Sequence, residues 1–240
     1  MKIACWGDSL TEGRPGSSYF NDLAHMLPDH TLVNYGRGGD TVISLHNRIL
    51  RMEPLEPVDI VFLWIGTNDV FLGLSTSLRV ISFLRRIPAS RDNGEFKEHY
   101  QSILSILSQS ANVVVAVPPI LIGEDLNNRW NQQLAALAQS IEELTPLSHN
   151  VTYLDLRAAF ASRLAQKRPS QYLPLSAIQI ASDGLRLKTS AQIDKKADER
   201  GLHVTLDGVH LNSVGADMVA NEFMNTITGR QSVNDGSLTC

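Results

Sequence analysis

Residues 58–66, with the sequence VDIVFLWIG, form an almost unbroken apolar run that ends at a glycine. Strands that are buried on both faces of a parallel sheet have runs of this kind, because neither face of the strand meets water. The run is too short to cross a bilayer, which needs about 20 apolar residues. The segment therefore predicts a central strand of a parallel sheet.

Shorter apolar runs lie on both sides of this segment and predict four more strands. They are KIACW at 2–6, TLVNYG at 31–36, NVVVAVPP at 112–119 and VTYLDL at 151–156. Amphipathic patterns between the runs predict helices near 17–27, 41–51, 95–109, 127–145 and 212–228. Strands that alternate with helices are typical of an α/β fold around a parallel sheet.

The chain has 240 residues, 43% of them hydrophobic, which is enough to bury one generous core. We expect a single domain over residues 1–228 with an insertion at about 165–206, where the alternation of strands and helices stops. Within the insertion, TSAQIDKKADERG at 189–201 predicts an exposed charged helix. The polar residues 229–240 are expected to form a flexible C-terminal tail.

Charge and composition exclude several classes of partner. The formal net charge is −4, and Lys and Arg form no dense cluster that would attract nucleic acid or an anionic membrane. No run is long enough for an integral membrane segment. Cys5 and Cys240 lack the spacing of a metal site or a disulfide framework. No signal peptide is visible, so the sequence as written predicts a cytoplasmic protein, or a secreted one if a leader has been removed.

Ligands of an open parallel sheet bind beyond the carboxyl ends of its strands. The first predicted strand leads there into GDSL at 7–10, in which Ser9 lies at a turn between a strand and a helix. A serine in that position can cap the helix or act as a nucleophile. These four residues alone favour the cap.

A nucleophilic serine needs a base and a group that orients the base. Among the seven histidines, His210 stands out because Asp207 precedes it by three residues in DGVH, just before a predicted helix. That spacing lets the carboxylate reach one ring nitrogen while the other faces outward. In the alternative interpretation, Asp207 is a turn residue beside Gly208, and His210 only lies near the start of the helix.

Acyl transfer also needs donors for the developing oxyanion. GRGGDT at 36–41 offers backbone N–H groups, and GTND at 66–69 offers the side-chain amide of Asn68. Glycines and Asn–Asp pairs also serve ordinary turns. Four such features at one edge of one sheet indicate that they belong to one functional site.

In their order, these four blocks resemble the SGNH, or GDSL, hydrolase family of serine esterases and lipases. The matching residues are Gly7, Asp8 and Ser9; Asn34, Gly36 and Gly39; Gly66, Asn68 and Asp69; and Asp207 with His210. The resemblance implies a three-layer α/β/α, flavodoxin-like fold with five parallel strands in the order 2-1-3-4-5. It also implies Ser9 as nucleophile, His210 as base and Asp207 as orienting acid. The implied oxyanion hole consists of the Ser9 and Gly39 N–H groups and the Asn68 amide.

The implied activity is that of a serine esterase which hydrolyses short-chain acyl or acetyl esters, a small-molecule substrate, through an acyl-enzyme and without a metal or organic cofactor. Three alternatives remain open: a lysophospholipase or lipase, an acyltransferase of the same fold, and a carbohydrate-binding module without catalysis. The candidates for substrate contact are Asp8, Val70, Phe71, Pro118 and Val209, although Asp8 also suits a turn and the apolar residues also suit the core. The insertion at 165–206 could be a lid, a homo-oligomer contact or a solvated excursion.

Overall fold

The carboxyl ends of five parallel strands define one edge of this computed structural model, which describes residues 1–84 and 86–229. The strands are β1 (Lys2–Gly7), β2 (Thr31–Gly36), β3 (Val58–Trp64), β4 (Ala111–Val117) and β5 (Val151–Tyr153). They form one sheet in the order β2-β1-β3-β4-β5, and every pair is parallel. The α/β fold class and the strand order are thereby confirmed.

Helices cover both faces of the sheet. They are α1 (Ser9–Glu12), α2 (Tyr19–Met26), α3 (Val42–Met52), α4 (Thr67–Phe71), α5 (Thr76–Leu84), α6 (Asn93–Ser110), α7 (Arg129–Leu144), α8 (Leu156–Leu164), α9 (Ala177–Arg186), α10 (Ser190–Glu199) and α11 (Ser213–Thr228). In the described part of the chain, no helix combines the length and the hydrophobicity that crossing a membrane requires.

Alternate residues of each strand enter different layers of the core, because side chains of a strand point to opposite faces in turn. On one face, Trp6 and Leu63 pack with α3, α6 and α7. On the other face, Cys5 and Phe62 pack with α2, α8 and α11. Phe62 is fully buried and stacks on Phe223 of α11 with ring centroids 3.9 Å apart. This two-sided burial explains why the central strands are apolar at almost every position.

The five helices that sequence periodicity predicts are present, and the structure adds short ones. Helices α1 and α4 are single turns that follow β1 and β3, and they are too short to show a period. The charged helix predicted within 189–201 is present as α10, but it also buries Ile193 and Ala197. The tail predicted at 229–240 lies, except for Gly229, outside the described residues.

Candidate active site

Ser9, His210 and Asp207 form a continuous hydrogen-bonded chain at the carboxyl edge of the sheet. The Ser9 Oγ lies 3.1 Å from His210 Nε2, and His210 Nδ1 lies 2.8 Å from Asp207 Oδ2. Ser9 is 8% exposed, His210 5% and Asp207 1%. A hydroxyl, an imidazole and a buried carboxylate in this sequence have the arrangement of a serine nucleophile, its general base and an orienting acid.

Asp8, rather than Ser9, caps the first helix. Its Oδ1 accepts a hydrogen bond of 2.9 Å from the Leu10 N–H, while Ser9 is already the first residue of α1. The side chain of Ser9 therefore does not cap the helix, and its hydroxyl contacts His210 instead. Burial raises the pKa of Asp8 to about 7.

Asp207 both forms the turn and holds the imidazole. Its Oδ1 accepts the N–H groups of Val209 and His210 at 3.0 and 2.9 Å, and its Oδ2 faces the ring. Burial alone would raise the pKa of Asp207, but the charge of His210 and these hydrogen bonds hold it below its ordinary value. Burial alone would lower the pKa of His210, but the Asp207 charge and hydrogen bond outweigh it and raise the pKa above 6.5.

The loop after β2 leaves one N–H group without a partner beside Ser9. In this turn the Gly38 N–H donates to Glu12 Oε2 at 2.6 Å, and the Asp40 N–H donates to the Arg37 carbonyl at 3.1 Å. Within the described residues, the N–H groups of Gly39 and Ser9 make no hydrogen bond to protein. Gly39 has a φ of +84°, which an L side chain rarely adopts. The N–H groups of Ser9 and Gly39 are thus two free backbone donors at this edge in the described part of the chain.

Close contact between β2 and α1 keeps this loop against Ser9. The Asn34 side chain donates to the Thr11 carbonyl at 2.7 Å and accepts from the Gly36 N–H at 2.8 Å. A Cβ atom on Gly36 would collide with the backbone nitrogen of Glu12, so only glycine fits there. The block of Asn34 and Gly36 therefore positions the loop through the backbone.

Asn68 lies in the first turn of α4 and presents its amide to the same edge. Its Nδ2 donates to the Asp40 carbonyl at 2.9 Å and to Asp8 Oδ2 at 3.4 Å. Asp69 anchors the helix, because it accepts the Val42 N–H and the Ser90 hydroxyl at 2.9 Å each. Burial raises the pKa of Asp69 to about 6. The amide of Asn68 is thereby held beside Asp8 and the loop of Gly39.

The residues predicted to contact substrate lie close to this site but are mostly buried. Val70, Phe71 and Val209 belong to the core layer of α3, α6 and α7, and Pro118 is buried after β4. Asp8 is buried as the cap of α1. Their contact with a substrate stays a prediction.

The segment at 165–206 packs along this edge. The hydroxyls of Ser75 and Ser77, after α4, donate to the Leu175 carbonyl at 2.8 and 3.1 Å. Arg200 pairs with Asp183 of α9 at 2.6 Å and donates to the Leu206 carbonyl at 2.9 Å, next to Asp207. The segment therefore connects the residues between α4 and α5 and the first turn of α5 to the loop of Asp207 and His210. A homo-oligomer contact through it stays a prediction.

Several residues that build the edge carry no local sequence signal. Arg48 pairs with Asp40 at 2.8 Å and donates to the Tyr35 carbonyl, so it holds the loop of Gly39 from α3. Arg200 and Asp183 are 17 residues apart in the chain, and their contact joins α9 to the residue that follows α10. In the residues that the structure describes, no group of three or more His, Cys, Asp or Glu side chains is arranged to hold a metal ion.

Solved structures of similar fold include esterases. LAE5, an alpha/beta hydrolase enzyme from the metagenome of Lake Arreo, Spain, superposes with a TM-score of 0.66 at 19% identity over 96% of both chains. The acetyl xylan esterase AlAXEase gives 0.64 at 21% identity over 95% of this chain and 100% of its own. Axe2, an acetylxylan esterase from Geobacillus stearothermophilus, gives 0.64 at 19% identity over 94% and 93%. At these identities the likeness shows the fold.

The family comparison goes further than the fold. No curated protein matches the chain. The GDSL-like lipase/acylhydrolase family matches residues 5–217, a span that contains Ser9, Gly39, Asn68, Asp207 and His210. The chain therefore belongs to the GDSL-like lipase/acylhydrolase family and is a carboxylic ester hydrolase.

Proposed function

We propose that the protein is a serine esterase that cleaves short-chain acyl or acetyl esters through an acyl-enzyme on Ser9. The observation that carries this proposal is the chain of contacts from Ser9 Oγ to His210 at 3.1 Å and from His210 to Asp207 at 2.8 Å. Because Asp8 provides the helix cap, the Ser9 hydroxyl has no competing structural duty.

In the proposed first step, His210 Nε2 takes the proton of the Ser9 hydroxyl as Oγ attacks the ester carbonyl. The N–H groups of Ser9 and Gly39 and the amide of Asn68 stabilise the tetrahedral oxyanion. His210 then protonates the leaving alcohol. In the second step, His210 activates a water that releases the acid and regenerates Ser9. Asp207 keeps the imidazole in the required tautomer and stabilises its cationic form.

Two features support a short acyl group. Val70, Phe71 and Val209 are buried in the core next to the site, so they offer little surface to a long chain. The overall fold also resembles two acetylxylan esterases, which act on acetyl esters as their names state. The proposed substrate is therefore a small or acetyl ester of an alcohol or carbohydrate.

Hydrolysis of p-nitrophenyl acetate, butyrate and octanoate tests this proposal. We expect kcat/KM to fall as the chain lengthens, and we expect Ser9→Ala and His210→Ala to lose about 10³-fold or more. Ser102→Ala, at a half-buried serine on α6, and His149→Ala, at an exposed histidine, serve as matched controls with wild-type rates. Full activity of Ser9→Ala would exclude the mechanism, and Ser9-dependent transfer to an added alcohol would reassign the enzyme as an acyltransferase.

A second candidate, hydrolysis of longer acyl chains as by a lysophospholipase, is favoured by exposed apolar side chains on α5 and α9. These two helices are packed neighbours, and they include Phe83 at 82% exposure and Ile178 at 81%. Exposed apolar surface can contact lipid. If this candidate holds, p-nitrophenyl octanoate becomes the best substrate of the series. Phe83→Ser with Ile178→Ser would then reduce hydrolysis of micellar lysophosphatidylcholine and leave p-nitrophenyl acetate hydrolysis unchanged.

A further inference from the structure

Glu124 lies outside the four sequence blocks, yet it binds the chain that leads into Asp207. Its carboxylate is 2% exposed and follows β4. The Oε1 atom accepts the N–H groups of Val204 and Thr205 at 2.9 Å each and the Thr205 hydroxyl at 2.7 Å. The Oε2 atom accepts the His203 N–H at 2.7 Å. One buried carboxylate therefore satisfies four donors on three consecutive residues.

Gly123, the residue before Glu124, also holds the tip of the loop between Asp207 and His210. The Gly123 N–H donates to the Gly208 carbonyl at 2.6 Å. The Gly208 N–H donates to the Thr205 hydroxyl at 3.1 Å, so that hydroxyl links the tip to Glu124. The loop is thereby held at its start by Glu124 and at its tip by the neighbouring residue Gly123.

Residues 122–125 are themselves anchored to α7. The buried Asn131 side chain accepts the Ile122 N–H at 2.9 Å and donates to the Gly123 and Asp125 carbonyls at 3.1 and 2.9 Å. Asn128, the cap of α7, donates to the Ile122 carbonyl at 2.8 Å. A helix outside the four blocks is thus connected by hydrogen bonds to the loop that carries Asp207 and His210.

We propose that Glu124 is a positioning residue for catalysis, which sets the placement of Asp207 and His210 against Ser9 through Thr205 and Gly208. This inference rests on the proposed role of those three residues. Catalytic geometry is sensitive to small displacements, and a shift of about 1 Å in a reacting group can cost 10²-fold in rate. Glu124 touches no reacting atom and acts through the loop alone.

The donor set explains why a carboxylate is required. Both oxygens of Glu124 only accept, which matches three N–H groups and one hydroxyl. A glutamine can keep the three donors at Oε1, but it places an NH₂ group against the His203 N–H. An alanine leaves all four donors buried without an acceptor, and buried donors without partners are costly. Glu124→Gln is therefore the partial change and Glu124→Ala is the complete one.

Thr205 offers a matched pair of variants within the hydrogen bonds that link Glu124 to Gly208. Thr205→Val keeps the shape and removes the hydroxyl, which ends both the contact with Glu124 and the contact with the Gly208 N–H. Thr205→Ser keeps the hydroxyl and removes a methyl group. If these hydrogen bonds position the loop of Asp207 and His210, Thr205→Ser preserves kcat and Thr205→Val lowers it. Glu142→Ala, an exposed glutamate on α7, controls for loss of a negative charge.

The test measures kcat, KM and the pH profile on p-nitrophenyl acetate, together with the thermal midpoint of each variant. We expect kcat to fall roughly 10–100-fold in Glu124→Ala and Thr205→Val, less in Glu124→Gln, and KM to change little. Thr205→Ser and Glu142→Ala should match wild type. Three carboxylates act on the charge of His210, those of Asp207, Asp8 and Asp183. When Asp207 is displaced, the acidic limb of the profile should move to lower pH.

The contact between His210 and Asp207 can be measured directly by NMR, through the downfield proton resonance of the His210 Nδ1–H that is bonded to Asp207. We expect it to shift or broaden in Thr205→Val and to persist in Thr205→Ser. Folded Glu124→Ala and Thr205→Val with wild-type kcat, pH profile and resonance would overturn the inference, even if their thermal midpoints are lower. If wild type shows no Ser9-dependent hydrolysis, the proposed function fails, and the resonance still decides whether Glu124 positions His210.

Discussion

The imidazole of His210 contacts the hydroxyl of Ser9 at 3.1 Å although 201 residues separate them in the chain. Ser9 begins the helix after the first strand, and His210 precedes the last helix. The contact therefore depends on the completed sheet, with α11 packed beside α2. The most direct consequences concern the reactivity of Ser9.

A fluorophosphonate probe should label Ser9 and no other residue. The Ser9 hydroxyl attacks the phosphorus of the probe and displaces fluoride, and His210 takes the hydroxyl proton, as in the proposed acylation. Intact-mass measurement should show one added phosphonyl group on wild type and on Ser102→Ala, and none on Ser9→Ala. Labelling of His210→Ala should be slower by about 10³-fold or more. Equal labelling of Ser9→Ala would show that another residue reacts.

Asp207→Asn should lower kcat by about 10³–10⁴-fold, because the amide NH₂ faces Nδ1 and favours the wrong tautomer. The pKa of His210 is raised by the Asp207 charge, and the base must be neutral. Activity of wild type should therefore rise with pH through a limb that lies above 6.5. In Asp207→Asn the residual activity should have its limb at lower pH.

Asp194→Asn is the matched control for this measurement. Asp194 also binds backbone near the site, since it accepts the Ser213 N–H and hydroxyl at 2.9 and 2.7 Å, but it does not contact the imidazole. Its pH profile should equal that of wild type. An acidic limb that stays unchanged in Asp207→Asn would contradict the electrostatic role of Asp207.

Asn68→Ala should reduce kcat by about 10²–10³-fold with KM nearly unchanged, because an oxyanion donor acts in the transition state. Steady-state kinetics on p-nitrophenyl acetate checks this split. Asn21→Ala, at an exposed asparagine on α2, should have wild-type kinetics. A change confined to KM would assign Asn68 to ground-state binding.

Asp8→Asn should stabilise the protein at alkaline pH. The folded-state pKa of Asp8 is raised to about 7, so its favourable protonated form is lost as the pH rises through that value. Asparagine keeps the acceptor for the Leu10 N–H and carries no charge. We expect a gain on the order of 1 kcal/mol or more, or about 2–4 °C in Tm for each kcal/mol, at pH 8.

The same variant should show little or no gain near pH 3, where Asp8 is mostly protonated in both the folded and unfolded states. Thermal unfolding of wild type and Asp8→Asn at the two pH values therefore isolates the charge. An equal shift at both pH values would indicate a packing effect instead.

Arg200→Ala should destabilise the fold by about 3–5 kcal/mol, because it leaves the Asp183 carboxylate buried without its partner. Both side chains are nearly buried, and Arg200 also stacks on Tyr172 with 4.9 Å between the guanidinium carbon and the ring centroid. Arg200→Met combined with Asp183→Leu should recover most of the loss, since it removes both charges. Thermal denaturation of the single and double variants measures this coupling, and additive losses would show that the pair does not interact.

The agreement between sequence and structure is best where the signal is local. The apolar run at 58–66 predicts β3 because a strand that is buried on both faces needs apolar side chains throughout. Asp207 and His210 lie within one turn, so their spacing allows the contact, and the structure shows it at 2.8 Å. Helices α4 and α5 were not predicted. Helix α4 is a single turn, and the sequence of α5 does not show a regular alternation of polar and apolar residues.

The sequence by itself determined the sheet, its order through the family resemblance, and the five residues proposed for chemistry. Only the tertiary structure decided that Asp8 caps α1, that Gly39 retains a free N–H, and that Glu124 binds residues 79–81 positions away. The physical reason is the range of the interactions. Periodicity and turn motifs record contacts between near neighbours, whereas a buried carboxylate finds its donors only when the strands have brought distant loops to one edge.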